Sequence, residues 1–131
     1  MRTDISFAGK CTVDVEFRLP GASESTVRSA IIDTGFFHES WGLGLPRREA
    51  AKVRGTPVLV GRITLGHGRK VPVRFCVDVQ ILRIGSIVFD TPWVTETMFI
   101  GKERVYLGMG LLRKGSLFID GPNATGHFTV G

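Results

Sequence analysis

Cysteine is scarce in this sequence: there are only two among 131 residues, Cys11 and Cys76. Both lie in alternating, strand-like runs, and nothing at the N-terminus resembles a secretory signal. This usage is not that of a disulfide-stapled secreted domain. We therefore expect two reduced core thiols in a cytoplasmic protein, with a disulfide between them as the alternative.

Long apolar runs and dense clusters of charge are also missing. No run reaches the roughly 20 apolar residues of a membrane-spanning helix, so we expect no membrane association. The net charge is +5, but the basic residues occur in small groups, the largest being Arg47, Arg48, Lys52 and Arg54. Because exposed aromatics do not alternate with these bases, the pattern favours a solvated surface over a nucleic-acid interface.

Histidine is rare and dispersed. The three histidines, His38, His67 and His127, lie far apart and lack the paired Cys/His spacing of zinc sites. The sequence therefore predicts neither a metal site nor another cofactor.

Glycine and strand-forming residues, by contrast, are abundant. There are 17 glycines, and Val, Ile, Phe and Thr recur throughout the chain. Short strands joined by tight turns have this composition. With 43% hydrophobic and 22% charged residues, the chain matches an ordinary globular protein. We predict one mostly β domain over residues 1–131.

The N-terminal part of the chain predicts a β-hairpin that ends on an acid. Residues 10–19 alternate strictly between apolar and polar side chains, which is typical of a half-buried antiparallel strand. A polar loop over 20–25 follows, and residues 27–32 return as the second strand. This hairpin delivers Asp33 to the end of its second strand.

The stretch 30–36, which reads Ala-Ile-Ile-Asp-Thr-Gly-Phe, admits two interpretations. A carboxylate at the end of a buried strand must find a partner or have its pKa raised, and both outcomes recur in catalytic sites. The alternative is an ordinary turn in which Asp33 and Thr34 bond to their own backbone and Gly35 supplies the conformational freedom. This stretch alone leaves both open.

A second hairpin is predicted from strands over 58–65 and 71–79, which flank Gly-His-Gly-Arg-Lys at 66–70. Its spaced glycines predict a mobile tip that could act as a lid, although a plain surface hairpin has the same pattern. Pro46 begins a short predicted helix over 46–52. We interpret Trp93 as a core residue rather than a ligand platform.

Later strands are predicted at 81–84 and 87–89, around a Gly85-Ser86 turn, and at 97–100, 117–119 and 126–130. The most informative late stretch is 105–112, Val-Tyr-Leu-Gly-Met-Gly-Leu-Leu, in which an apolar strand ends on Gly108. Since Gly108 has no side chain, another backbone segment can approach it closely. One helical turn is predicted from Leu111 to Arg113.

The stretches 30–36 and 106–112, with a glycine-tipped hairpin between them, resemble the retropepsin-type aspartic proteases. The likeness is strongest to small bacterial single-domain members, in which Asp-Thr-Gly-Phe is followed by a Leu-Pro helix start, here Leu45-Pro46. The resemblance implies a closed all-β acid-protease barrel with one or two short helices, about half the size of a pepsin. It also implies a homodimer that cleaves peptide or protein substrates. From the charge pattern we expect no nucleic acid among its partners.

The resemblance assigns roles to individual residues. It implies that Asp33 of each chain is the catalytic carboxylate, that Thr34 links the two turns across the dimer, and that Gly35 admits the substrate backbone. Leu107 and Gly108 match the family's second turn, which packs beneath the catalytic loop. The implied flap tip and substrate-binding segment is Gly66, His67, Gly68 and Arg69.

The chemistry itself requires two carboxylates. Two acids held about 3 Å apart cannot both ionise, so they share one proton and their pKa values split. The chain has a single Asp-Thr-Gly, so a second copy must supply the partner of Asp33.

We expect His67 to be an exposed turn residue rather than a pH switch.

The sequence also departs from the family pattern. Gly110 stands where many members have an acid or an amide, and Phe36, Phe37 and His38 stand where retroviral members carry acids. An inactive retropepsin-like binding or dimerisation domain is therefore one alternative, since fold does not imply function. A small basic β-barrel that binds nucleic acid is another.

Overall fold

Ten β-strands and two short helices make up the computed structural model, which describes residues 1–35, 41–64 and 66–131. The helices are a 3₁₀ helix at Arg47–Lys52 and α1 at Met109–Leu112. The strands are β1 Arg2–Asp4, β2 Thr12–Arg18, β3 Thr26–Ile32, β4 Trp41–Leu45, β5 Leu59–Thr64, β6 Lys70–Ile84, β7 Ile87–Phe99, β8 Val105–Leu107, β9 Ser116–Asp120 and β10 Thr125–Thr129.

The predicted first hairpin is confirmed. Strands β2 and β3 pair antiparallel from Thr12 opposite Ile31 to Phe17 opposite Thr26. In β2 every second side chain, Val13, Val15 and Phe17, is buried, because successive side chains of a strand point to opposite faces. The alternation of apolar and polar residues in the sequence therefore predicts correctly which face of β2 packs against the core.

Six strands close into a barrel in the order β2, β3, β8, β4, β7 and β6, and β6 pairs again with β2. Most neighbours are antiparallel, but β3 and β8 are parallel, as are β4 and β7. Strand β5 lies outside this ring, paired along β6. A separate three-stranded sheet has the order β1, β10, β9. The predicted closed all-β barrel with two short helices is confirmed.

The barrel is filled by aliphatic and aromatic side chains from several strands. Each large side chain that is fully removed from water stabilises the fold by about 1.5–3 kcal/mol relative to its exposed state. The largest fully buried side chains in the described residues are Phe17, Phe128, Leu43, Leu45, Ile81, Ile84, Ile87, Leu107 and Leu111, with Val15, Val79 and Val105. Leu107, at the end of β8, belongs to this core, and Ile32, at the end of β3, packs against it.

Several element boundaries differ from prediction. The runs at 71–79 and 81–84 form one strand, β6, whose register shifts between Cys76 and Val79 and again between Ile81 and Arg83. Such irregularities bend a strand without ending it, and they obscure the alternation. The helix predicted over 46–52 is a 3₁₀ helix preceded by Pro46 as its N-cap residue. Helix α1 begins at Met109, two residues earlier than expected.

The turn between β6 and β7 is at Gly85 and Ser86, as predicted. Gly85 has φ +56°, and a Cβ atom there would collide with the side chain of Thr3 on β1. This turn therefore needs glycine both for its backbone conformation and for the approach of the small sheet.

The predicted core positions of three residues are only partly correct. Cys76 is buried, whereas Cys11 is half-buried, and both are free thiols. Trp93 is half-buried as well; it packs against the core and stacks on Phe89, with 4.1 Å between ring centroids. In the part of the chain that the structure describes, no helix is long and apolar enough to cross a membrane.

Candidate active site

The two sequence motifs meet at the ends of two parallel strands. Strand β3 runs beside β8 with Ile32 opposite Leu107, and the main-chain N–H of Asp33 donates to the Leu107 carbonyl at 3.0 Å. These residues are more than seventy positions apart in the chain. The structure thus brings Asp33 and Leu107 together, as the resemblance implies, and anchors the acid through its backbone.

Asp33, Thr34 and Gly35 form a tight turn after β3. The Gly35 N–H donates to Asp33 Oδ1 at 3.0 Å, and a Cβ atom at Gly35 would lie only 3.2 Å from the same oxygen. The turn is therefore the side-chain-to-backbone type that was one of the two interpretations. It holds the carboxylate in one orientation, which a catalytic acid also requires.

The expectation of a buried carboxylate is wrong for the single chain. Asp33 is half-buried, and Thr34 and Gly35 are exposed. The turn follows the end of β3, and its own chain covers only part of the acid. One face of the turn is thus accessible to a second molecule.

Gly108 is held from the other side by β4. Its N–H donates to the Gly42 carbonyl at 2.9 Å, and Leu43 pairs antiparallel with Leu107. Gly108 is also the N-cap residue of α1, since its carbonyl accepts the N–H groups of Leu111 and Leu112 at 3.1 and 3.0 Å. The second motif is therefore a junction between β8, β4 and α1.

Gly42 is a supporting residue that the sequence reasoning missed. A Cβ atom there would lie 2.6 Å from Leu111 Cγ and would collide with Thr95 Oγ1. Only glycine lets α1 and β7 close on β4 at this point. Its single sequence signal is the Gly-Leu-Gly pattern at 42–44, and all three of these residues are buried in the structure.

The glycine-tipped hairpin is present between β5 and β6, which pair from Leu59 opposite Phe75 to Thr64 opposite Lys70. The tip residues are all exposed, Gly68 has φ +83°, and the Arg69 N–H donates to His67 Nδ1 at 3.2 Å. In the described part of the chain no hydrogen bond joins this tip to the Asp33 turn. The exposure of His67 agrees with the expectation of a turn residue.

The base of the hairpin is anchored by a second apolar cluster, formed by Trp41, Val73 and Met98. Phe75 of β6 packs edge-on against Trp41, with ring centroids 5.1 Å apart. Trp41 is the first residue of β4, the strand that also binds Gly108. The hairpin base and the candidate site therefore both pack on β4, whereas the tip residues of the hairpin are exposed.

Several predicted features lie outside the described residues. These are the strand end at Leu65 and the departures from the family pattern at Phe36, Phe37 and His38. Gly110 is half-buried within α1 and offers no side chain to a partner. Within residues 1–35, 41–64 and 66–131, no group of three His, Cys, Asp or Glu side chains is placed to hold a metal ion.

No protein-family model matches the chain, and a search of curated proteins finds no match. Among solved structures, the chain is similar to a retropepsin-like aspartic protease from Rickettsia conorii, with a TM-score of 0.62 and 13% sequence identity. The likeness covers 99% of this chain and 91% of that one. At such low identity it shows the fold alone, which is therefore a retropepsin-like barrel.

Proposed function

We propose that this protein is an aspartic endopeptidase that acts as a homodimer on peptides in extended form. The observation that carries the proposal is the position of Asp33, which follows β3 and is bonded through its N–H to the Leu107 carbonyl. The Asp-Thr-Gly turn, its supporting Leu-Gly turn and a projecting hairpin occur together on a retropepsin-like fold. This combination supports acid-protease chemistry over a structural turn.

The dimer follows from the number of carboxylates. One chain has one Asp-Thr-Gly, and a shared proton between two acids requires a second copy. The half-buried Asp33 and the exposed Thr34 and Gly35 leave the turn open to such a copy. Pairing of two turns would bury both carboxylates and provide the desolvation that one chain lacks.

In the proposed reaction, a water molecule lies between the two Asp33 carboxyl groups. The ionised carboxylate accepts a proton as the water oxygen bonds to the peptide carbonyl carbon, while the protonated one donates a hydrogen bond to the carbonyl oxygen. The C–N bond then breaks as the leaving nitrogen receives the proton that the first carboxylate took from the water. No group beyond the two acids and the water is needed.

The hairpin tip would act as a flap over the bound peptide. Its exposed residues, Gly66 to Arg69, and the positive φ of Gly68 support this role. Closure of such a segment excludes water from the reacting groups and commits the substrate. The anchored base, where Val73 packs near Trp41, would keep the motion local to the tip.

The direct test compares the wild type with Asp33→Asn on a mixed peptide library, with products read by mass spectrometry. The substitution keeps the shape and the oxygen that accepts the Gly35 N–H, so the variant should fold normally yet lose all cleavage. Asp90→Asn, at an exposed position on β7, is the matched control and should cleave like the wild type. Cleavage retained by Asp33→Asn contradicts the proposal.

A non-catalytic binding or dimerisation domain is the second candidate. It is favoured by one observation, the absence of a side chain at Gly110, where the family pattern has polar groups. A wild-type dimer that cleaves no library peptide and binds no statine-type transition-state mimic would support this candidate.

A further inference from the structure

Two adjoining cavities open beside the 3₁₀ helix, one between it and the β5–β6 hairpin and the other between it and residues 101–103. The first has a volume of about 940 Å³ and the second about 490 Å³. Arg47 and Arg48, at the start of the 3₁₀ helix, line both cavities, so the two form one groove. Neither Asp33 nor Gly108 is among the lining residues, which separates the groove from the candidate catalytic turn.

The floor and one wall of the groove are apolar. Phe99, which is buried, and Pro72 lie on the same face of the sheet as Arg74, because Phe99 pairs opposite Arg74 and Pro72 precedes it by two residues. Ile63, Val71, Val73 and Ile100 also border the groove, but they alternate to the other face and pack in the second apolar cluster. Val60 also lines the groove and is 72% exposed, the highest value among the exposed large hydrophobic side chains of the described residues. An exposed apolar wall beside a concave floor is typical of a surface that receives another side chain.

The rim of the groove is cationic. Arg47 and Arg48 extend from the 3₁₀ helix, Arg74 from β6, and Lys102 from the segment after β7. Glu103 is the one carboxylate among the described lining residues, and Arg48 already binds it through two hydrogen bonds of 3.0 and 3.2 Å. The positive charge of the rim is therefore not neutralised within the groove.

Arg47 and Arg74 are the cations best suited to a ligand. In the described part of the chain, neither guanidinium has an ion-pair or hydrogen-bond partner. The face of the hairpin that carries Arg74 extends this charge, because Arg62 pairs opposite Pro72 and Lys70 precedes Arg74 by an even spacing. A ligand that is both acidic and apolar would complement this surface.

We propose that this groove docks an acidic, extended segment of the polypeptide substrate. Its carboxylates pair with Arg47 and Arg74 in the bidentate geometry that guanidinium favours, and an apolar side chain rests beside Val60 on the floor. The description of this peptide as a substrate rests on the proposed function. Because β5 and β6 carry both the groove wall and the tip, a docked segment runs beside the hairpin that would close over the scissile bond.

A peptide fits the groove better than a nucleic acid does. Phosphate backbones need a track of cations with little apolar surface, and unpaired bases need exposed aromatic platforms. Here the exposed apolar side chains of the groove, Val60 and Pro72, are aliphatic, and Phe99, the aromatic residue among the described lining residues, is buried. An extended peptide of alternating leucine and glutamate meets the floor with one set of side chains and the rim with the other.

The test measures binding without cleavage, in the Asp33→Asn background, by fluorescence anisotropy. The probe is a short labelled peptide of alternating Glu and Leu, compared with the same peptide carrying Gln in place of Glu. We expect the acidic peptide to bind about tenfold more tightly, and Arg47→Gln with Arg74→Gln to remove this preference. Val60→Ser should weaken binding of both peptides, because it removes apolar contact.

The control variant is Lys10→Gln with Arg113→Gln, which makes the same change in net charge at exposed positions outside the groove. It should keep the preference for the acidic peptide. Equal binding of the two peptides, an equal loss in the control, or tighter binding of a single-stranded oligonucleotide overturns the proposal. If the wild-type protein binds the acidic peptide but cleaves no peptide, the docking proposal stands and the proposed endopeptidase function is wrong. If it cleaves peptides but shows no preference for the acidic one, the endopeptidase function stands and the docking proposal is wrong.

Discussion

The substitution Gly42→Ala probes how the candidate site is supported. Gly42 lies in β4, accepts the Gly108 N–H at 2.9 Å and faces α1. A methyl group at this position would lie 2.6 Å from Leu111 Cγ and would also collide with Thr95 Oγ1. Since Leu111 and Thr95 are both buried, neither can move into solvent to relieve the contact.

The size of the effect follows from packing. An added methyl group in a packed core costs about 1–3 kcal/mol, and this exceeds the few tenths to 1 kcal/mol that alanine recovers by stiffening the unfolded chain. The unfolding entropy of a domain of 131 residues is about 0.28 kcal/mol per kelvin. The net loss is then about 0.5–2.5 kcal/mol, so we expect the Tm to fall by about 2–9 °C.

Thermal unfolding followed by circular dichroism measures this shift. The matched control is Gly121→Ala, because a Cβ atom at Gly121 meets nothing within 4 Å. Its Tm should stay within about 2 °C of the wild type, as for most surface substitutions. An unchanged Tm for Gly42→Ala would refute the claim that β4, α1 and β7 brace Gly108 through this glycine.

Two further predictions concern titratable groups. Burial, with a smaller contribution from the nearby charge of Asp78, raises the pKa of Cys76 to about 11. A thiol reagent near neutral pH should therefore modify the half-buried Cys11 first and Cys76 only as the protein unfolds. Equal rates of modification of the two thiols in the folded protein would contradict this. Hydrogen bonds from Ser25 at 2.6 Å and then Arg83 lower the pKa of Glu16 below 4.5, so its stabilisation is present above that pH and is lost as the pH falls through the folded pKa. The Tm of Glu16→Gln should accordingly fall less steeply with acid than that of the wild type, and identical slopes would exclude a role for this network.

Local patterns in the sequence predict local structure well in this chain. The alternation over 10–19 predicts β2 because one face of that strand lies in the core and the other in solvent. The Gly85-Ser86 turn and the β5–β6 hairpin are equally local. In β6 the same reasoning fails, because two register shifts break the period without ending the strand.

The candidate site could not be derived from periodicity. The parallel pairing of β3 with β8 joins residues more than seventy positions apart, and no local signal marks it, so the link between Asp33 and Leu107 rested on the family resemblance. The need for glycine at position 42 depends on Leu111 and Thr95, which approach it only in the fold. Likewise, Arg47 and Arg48 belong to a small basic group that the sequence predicts to be solvated surface, and Arg74, which joins them at the groove, lies far from them in the sequence.

Subunit mixing tests the central claim, that each active site needs Asp33 from two chains. Wild-type protein is incubated with increasing amounts of Asp33→Asn protein, and cleavage is measured per wild-type chain. If chains exchange freely, a ninefold excess of the variant should leave roughly a tenth of the activity, because most wild-type chains then sit in mixed dimers. Asp90→Asn added in the same excess should cause no such loss. If subunits exchange and the activity per wild-type chain does not change when Asp33→Asn protein is added, the claim that each active site needs Asp33 from two chains is wrong.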